Sequence, residues 1–346
     1  MENIKILAFE TSCDETSVAV VEGGGKVLSN IISSQIDIHK EYGGVVPEIA
    51  SRHHIENILP VFMEAMEKAG CSLAEIDYIA VTNTPGLIGS LLVGLMFAKS
   101  LSYSNGIPLV PVNHIDGHIF SNFIENEVEL PAISLVVSGG HTNLYYIKEE
   151  KKKIKIELLG ETLDDAVGET YDKIARILDL PYPGGPEIDR LSTGGKMELK
   201  IKKPDVEGYN FSFSGIKTSI TNYVNNRKMK KEEIIKENIA KSLQETVVDV
   251  LLDKVLKGVK EKGVKTVLVA GGVSANRRLR EAFYELAERE NLKVHFPEME
   301  YCTDNAAMIG CAAYYKIREG LQRDEEGYDV DALSTKEMKK EEGKIL

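Results

Sequence analysis

Ile4-Lys5-Ile6-Leu7-Ala8-Phe9-Glu10-Thr11-Ser12-Cys13-Asp14-Glu15 is a short apolar run that breaks into a polar turn. Residues 4–9 predict a buried strand. A second apolar run, Val18 to Val21, comes after the turn, and Gly23-Gly24-Gly25 leads into a third, Val27 to Ile32. This is a three-strand meander. The same order returns after Pro131: a strand at 133–137, the polar turn Ser138-Gly139-Gly140, and strands at 143–147 and 154–159.

The elements beyond each meander also repeat. In the first half a helix starts at Pro47 and runs toward Gly70. A strand at 77–81, the turn Thr84-Pro85-Gly86, a small-residue helix at 89–103 and a strand at 107–112 come next. In the second half a helix covers 164–178, an irregular stretch covers 181–213, and a long amphipathic helix covers 231–262. Then come a strand at 267–270, a Gly271-Gly272 turn, a helix at 274–289 capped by Ser274, a strand at 293–295, the loop 299–304 and an Ala-rich helix to Tyr315. Such duplication predicts two alike α/β halves facing each other across a ligand cleft. The expected divisions are an N-terminal half at 1–130, a C-terminal half at 131–321 with an inserted segment at 181–230, and a charged tail at 322–346.

The chain of 346 residues is 43% hydrophobic and 28% charged, an ordinary globular composition for about two domains. No apolar run reaches the ~18–20 residues that span a bilayer, and the longest candidate, Gly86 to Ala98, is Gly-punctuated. No charged leader with a cleavage site opens the sequence, so a cytoplasmic location is expected. Cys13, Cys71, Cys302 and Cys311 are scattered without a C-x-x-C pair, which argues against a disulfide framework and a Cys-based zinc site. The net charge of −12 makes any nucleic-acid contact depend on local basic patches or a partner.

The chemistry-bearing residues cluster where the repeat places its turns. After the strand at 107–112 comes Asn113-His114-Ile115-Asp116-Gly117-His118, with two imidazoles one helical turn apart. The equivalent place in the second half is Glu300-Tyr301-Cys302-Thr303-Asp304. Related by a pseudo-two-fold, His114 and His118 would face Asp304 across the cleft and form an open site for Fe(II) or Zn(II). The plain alternatives are a hydrogen-bonded surface pair and, for Asp304, a helix N-cap. Ser138-Gly139-Gly140 and Gly271-Gly272-Val273-Ser274 each come after a buried strand and suit phosphates, although a tight turn is the commoner use. Neither is a P-loop or a full dinucleotide fingerprint. Asp165, Glu169 and Asp172 recur at helical spacing; a metal, a ligand hydroxyl or an arginine is expected to offset their repulsion.

Seven stretches carry a resemblance. They are 9–16 (Phe-Glu-Thr-Ser-Cys-Asp-Glu-Thr), 43–52 (Gly-Gly-Val-Val-Pro-Glu-Ile-Ala-Ser-Arg), 113–118, 137–142 (Val-Ser-Gly-Gly-His-Thr), 182–186 (Tyr-Pro-Gly-Gly-Pro), 211–217 (Phe-Ser-Phe-Ser-Gly-Ile-Lys) and 271–276 (Gly-Gly-Val-Ser-Ala-Asn). In these the chain resembles the bacterial TsaD branch of the tRNA threonylcarbamoyltransferase family, formerly called glycoproteases. With Asp304 the matches span residues 9 to 304. The resemblance implies the actin/sugar-kinase type of fold, two duplicated ribonuclease-H-like α/β halves around a central cleft. It implies transfer of a threonylcarbamoyl group from its adenylate to the exocyclic amine of the adenosine 3′ of the anticodon, in tRNAs reading codons that start with A. It places metal ligands on His114, His118 and Asp304, and substrate contacts on Val136, Val137, Ser138, Gly139, Gly140, Asp172, Gly185, Asp189 and Asn276. Asp14 is the candidate base for the amine. Asp116 stands where many relatives carry Glu, at a non-ligand position.

The implied partners are tRNA, threonylcarbamoyl-adenylate, a TsaB-like paralogous subunit and a TsaE-like ATPase, with no membrane. The apolar helix from Ile49 to Met66 is a candidate subunit surface, and the basic clusters 151–155, 196–203, 227–231 and 277–280 are the only tRNA candidates. Three rival functions stand beside this one. A metalloprotease needs H-E-x-x-H, but His114 is followed by Ile115. An ATPase or sugar kinase of the same fold is not excluded by fold. A non-catalytic binding module fits poorly with so many polar turns.

Overall fold

The computed structural model describes residues 3–124, 126–320 and 328–334. Its chain forms two compact units, residues 1–127 with 297–346, and residues 128–296.

The first unit is built on β1 (Lys5–Glu10), β2 (Glu15–Glu22) and β3 (Lys26–Ser34). They are followed by α1 (Ile36–Lys40), α2 (Pro47–Ala69), β4 (Tyr78–Thr84), α3 (Ile88–Asn105), β5 (Leu109–Asn113) and α4 (His114–Ser121). The strands order as β3-β2-β1-β4-β5. The meander is antiparallel, while β1–β4 and β4–β5 are parallel. The period of two decides what covers each face. Leu7, Phe9, Val18 and Val20 pack with Ile58, Val61 and Ala65 of α2 and with Leu91, Leu95 and Ala98 of α3. Their neighbours Ala8 and Val21 meet Gly310, where an added Cβ would lie 2.8 Å from Val21 Cγ2.

The second unit repeats the plan. It contains β6 (Ala132–Val137), β7 (Thr142–Glu150), β8 (Lys153–Glu161), α5 (Val167–Ile177), α6 (Gly184–Ser192), α7 (Ser214–Lys230), α8 (Lys236–Lys262), β9 (Thr266–Ala270), α9 (Arg277–Glu290) and β10 (Lys293–His295). Its order, β10-β9-β6-β7-β8, is the first sheet's order with the same parallel and antiparallel pairs. The duplication expected from the meanders is therefore present strand for strand. Ile133, Leu135, Val137 and Leu144 form its core with α5 through α9.

The structure differs from expectation in five places. The final helix, α10 (Ala306–Arg318), and the loop before it group with the first unit rather than with 131–321. All residues from Ala306 to Ala313 are buried, so no polar face marks which sheet this helix covers. The stretch 181–213 contains α6, and α7 begins after it where no helix was expected; Asp164 satisfies its N-terminus by accepting from Phe213 N at 2.7 Å and from the hydroxyls of Ser212 and Ser214 at 2.5 and 2.7 Å. The cap of α9 is Asn276, accepting from Leu279 N at 2.9 Å, because Gly272–Ala275 forms a 3-10 turn. Asn305, not Asp304, caps α10 through Met308 N. The tail 322–346 lies outside the described residues except for 328–334, where Lys99 Nζ donates to Tyr328 O at 3.0 Å.

Candidate functional site

A tight backbone turn places the histidine pair. Asn113 caps α4 by accepting from Ile115 N at 2.8 Å, so His114 opens the helix and His118 lies one turn on. Asp304 reaches them from the loop before α10. The triad thus assembles within the first unit, not from opposite halves, because α10 packs beside α4 there.

The distances suit one ion. Asp304 Oδ1 lies 3.2 Å from His118 Nε2 and 3.5 Å from His114 Nε2. The three ligand atoms lie within 4.8 Å of one another. Donors bound ~2.1 Å from one metal stand roughly 3.0–3.5 Å apart. His118 is fully buried, yet neither ring nitrogen makes a hydrogen bond; the Asp304 contact lacks the required geometry. An unpartnered buried polar atom costs about 1–3 kcal/mol, so the ring is built for another partner. These residues fit a divalent metal.

Behind His114 stands a residue that spacing did not reveal. Glu10 is fully buried; its Oε2 lies 3.0 Å from His114 Nδ1 and accepts from Thr82 Oγ1 at 2.6 Å. Glu10 Oε1 accepts from Ser12 N at 2.5 Å. A carboxylate on Nδ1 holds the proton there and leaves Nε2 as the ligand. Burial works against the His114 charge, but Asp304 and Glu10 outweigh it and lift its pKa to about 9. Burial lowers that of His118. The available signal was position: Glu10 ends a strand that is buried from Ile6 onward, where a carboxylate must have a partner. Glu10→Gln is expected to weaken metal binding by about 10–100-fold. Chelator competition measures this, and unchanged affinity would remove Glu10 from the metal's support.

The other expected residues sort by unit. Asp14 lies in the β1–β2 turn of the first unit, 9% exposed, with its carbonyl accepting from Gln35 N at 3.0 Å. Burial, with Asp14 and Asp304 nearby, holds the Glu15 carboxyl well above the usual range. Asp116 is turned to other charges: burial pushes its pKa to about 6 while Lys316 opposes.

In the second unit, Val136 and Val137 are buried at the end of β6, Val136 paired to β7 and β9 and Val137 to β7, directly before the Ser138 turn. Ser138 O accepts from Gly168 N at 3.2 Å, which ties the turn to the start of α5. Asp172 accepts from Gly184 N at 2.7 Å, beside Gly185 at the start of α6. Asp189 and Asn276 are joined by a residue not singled out in the sequence: Gln244 of α8 donates to Asp189 Oδ1 at 2.8 Å and accepts from Asn276 Nδ2 at 3.1 Å. Lysines offset two of the charges on 165–172. Lys173 contacts Asp165 at 2.6 Å and Glu169 at 2.9 Å.

Fold and site together define a protein of the actin/sugar-kinase class carrying a candidate two-histidine, one-carboxylate metal centre. Solved structures with the same fold include HypF from T. kodakarensis (TM-score 0.64, 16% identity, 93% of this chain and 49% of that one). Another is the Acidaminococcus fermentans (R)-2-hydroxyglutaryl-CoA dehydratase component A (TM-score 0.52, 14% identity, 92% and 100%). The chain spans about half the length of HypF.

Residues 26–311 match the family described as TsaD, tRNA N6-adenosine threonylcarbamoyltransferase, and the chain belongs to that family. A curated relative of this name from Fusobacterium nucleatum is 57% identical over 95% of this chain and 97% of its own. Those from Clostridioides difficile and Bacillus subtilis are 51% and 49% identical, covering 94% and 93% of this chain and 96% and 93% of theirs. The chain is thus a transferase of tRNA modification. The family fits the fold, and it leaves the protease reading without support.

Proposed function

We propose that the chain transfers the threonylcarbamoyl group of threonylcarbamoyl-adenylate to the exocyclic amine of the adenosine 3′ of the anticodon, in tRNAs reading codons that start with A. The observation that carries this is the buried, hydrogen-bond-free His118 beside His114 and Asp304, in a chain of this family. His114, His118 and Asp304 would hold the ion, Fe(II) or Zn(II), with Glu10 fixing the His114 tautomer. When bound, the ion supplies Lewis-acid polarisation of the carbamoyl oxygen. The amides of Gly139 and Gly140, with the Ser138 hydroxyl, would hold the adenylate phosphate, and Asp172, Gly185, Asp189 and Asn276 would orient the nucleoside. Asp14 would take the proton that the attacking amine loses as AMP leaves.

The setting is the cytoplasm, and no helix among the described residues is long and apolar enough to cross a membrane. The ATPase or sugar-kinase alternative gains nothing from the fold likeness, which shows architecture alone. Nucleoside mass spectrometry of tRNA from cells depleted of this protein tests the proposal. Threonylcarbamoyladenosine should fall with the protein; its persistence, with no second copy present, would overturn it.

The family also implies a TsaB-like subunit and a TsaE-like ATPase. Ile55 and Leu59 of α2, with Leu92 and Met96 of α3, are 43–65% exposed around one groove, and Met63 is exposed one turn further along α2. They recur every four residues, one helix face left unburied. We assign this face to the TsaB-like subunit. Leu59→Glu with Met96→Glu is expected to leave the monomer folded and raise the heterodimer Kd at least about 100-fold. Analytical ultracentrifugation reads this, and an intact heterodimer would move the interface elsewhere.

A further inference from the structure

The charges of this acidic chain are unevenly divided. Residues 128–296 carry 29 Lys and Arg against 26 Asp and Glu, while the remainder carries 13 against 28. By net charge, the second unit is the one that favours a polyanion. Within that unit the structure separates neutralised cations from available ones. Lys203 is paired with Asp249 and Asp253, Arg278 with Glu245 and Glu285, and Arg227 with Glu198 and Glu232. Lys196, Lys200, Lys202, Lys228, Lys230 and Lys231 are all exposed and make no ion pair among the described residues.

These six belong to one surface. The loop after α6 lies along α8: Lys196 N donates to Asn238 at 2.8 Å, Leu199 N to Ser242 Oγ at 3.1 Å, and Lys203 Nζ to Asp253 at 2.8 Å. Glu198 knots the loop to the end of α7, accepting from Tyr223 Oη, Arg227 at 2.6 Å and Asn238 at 2.8 Å. Lys228 to Lys231 emerge at that knot. Glu198 is consumed internally, and the carboxylates beside Lys200 and Lys202 are engaged elsewhere, Asp249 by Lys203 and Glu245 by Lys241 and Arg278.

The strip also adjoins the candidate nucleoside contacts. Gln244, which joins Asp189 to Asn276, lies on α8 six residues past Asn238, about 9 Å along the axis. Asp189 itself stands in α6, seven residues before Lys196. The hairpin tip Lys151-Lys152-Lys153, equally basic, has no such link.

We propose that Lys196, Lys200, Lys202, Lys228, Lys230 and Lys231 form the surface that docks the tRNA phosphate backbone. The inference rests on the transferase reading, since it takes tRNA as the polyanion. Each lysine–phosphate contact releases counterions, and log Kobs falls with log salt by about 0.7–0.9 per phosphate. The test measures binding of an unmodified tRNA transcript to the full-length chain across salt concentrations. Lys200→Ala with Lys202→Ala and Lys230→Ala should reduce the slope by about 2–3 and weaken binding at least about 10-fold near 0.1 M salt. The melting temperature should not move, because none of the three side chains is paired. Lys151→Ala with Lys152→Ala and Lys153→Ala removes the same charge and should leave slope and affinity unchanged. Equal losses in both triples would mean a diffuse charge effect and overturn the proposal. So would an unchanged slope in the strip triple, with the transferase reading intact if wild type still modifies tRNA. If wild type neither binds nor modifies tRNA, both readings fall.

Discussion

His118→Ala is expected to abolish metal retention and cut threonylcarbamoyl transfer at least about 100-fold while the protein stays folded. His114→Ala is expected to do the same to activity but to cost stability as well. The difference lies in what each ring leaves behind. His118 has only its 3.2 Å contact with Asp304, so its removal sacrifices mainly packing, about 1–2 kcal/mol. His114 is the partner of Glu10, which is fully buried and held ionised, despite burial, mainly by the His114 charge. Removing one member of a buried ion pair costs about 3–5 kcal/mol. The metal-free variants should therefore separate in thermal unfolding, with His114→Ala melting lower. Metal content by elemental analysis and modification of a tRNA transcript complete the measurement. Wild-type transfer by chelator-stripped protein, or by His118→Ala, would remove the metal from the chemistry.

The sequence made the sheets legible and left their partners obscure. Apolar runs at 4–9, 18–21 and 27–32, repeated after Pro131, encode strands locally, so the two meanders could be inferred from pattern. The start of α7 was not legible, because its cap is Asp164, fifty residues upstream of Ser214. Nor was the place of α10, whose buried residues run all round the helix and favour no particular sheet. The same division holds for the site. His114 and His118 announce themselves through spacing within one turn, whereas Glu10 and Gln244 act across 104 and 55 residues of chain. Ser274 looked like the cap of α9 because Ser is a good N-cap. The 3-10 turn over Gly272–Ala275 moved that role to Asn276 and tied the cap to Gln244. A cleft between duplicated halves would set Asp304 opposite the histidines, but close packing of α10 beside α4 places it in the same unit.

The turn Ser138-Gly139-Gly140 allows room for a ligand to be distinguished from room for the fold. Neither Gly139 nor Gly140 has a positive φ, and a Cβ on either would meet nothing within 4 Å. The fold has no steric use for glycine there, so alanine should change stability by less than about 1 kcal/mol, in the stabilising direction if at all. Gly271 is the opposite case. Its φ is +89°, and an added Cβ would lie 2.3 Å from Val137 O. Gly271→Ala should cost about 3 kcal/mol or more, from strain and from displacement of β6. If the Gly139 and Gly140 amides hold the adenylate phosphate, two methyl groups between backbone and ligand will obstruct that approach. Gly139→Ala with Gly140→Ala is then expected to weaken AMP binding at least about 10-fold, a change of about 1.4 kcal/mol, with an unchanged melting temperature. Calorimetric titration with AMP, beside thermal unfolding, reads both quantities on one sample. Wild-type AMP affinity in the double variant would show that the turn is not a phosphate cradle. A folded protein that has lost AMP would show that these glycines serve the ligand and not the chain.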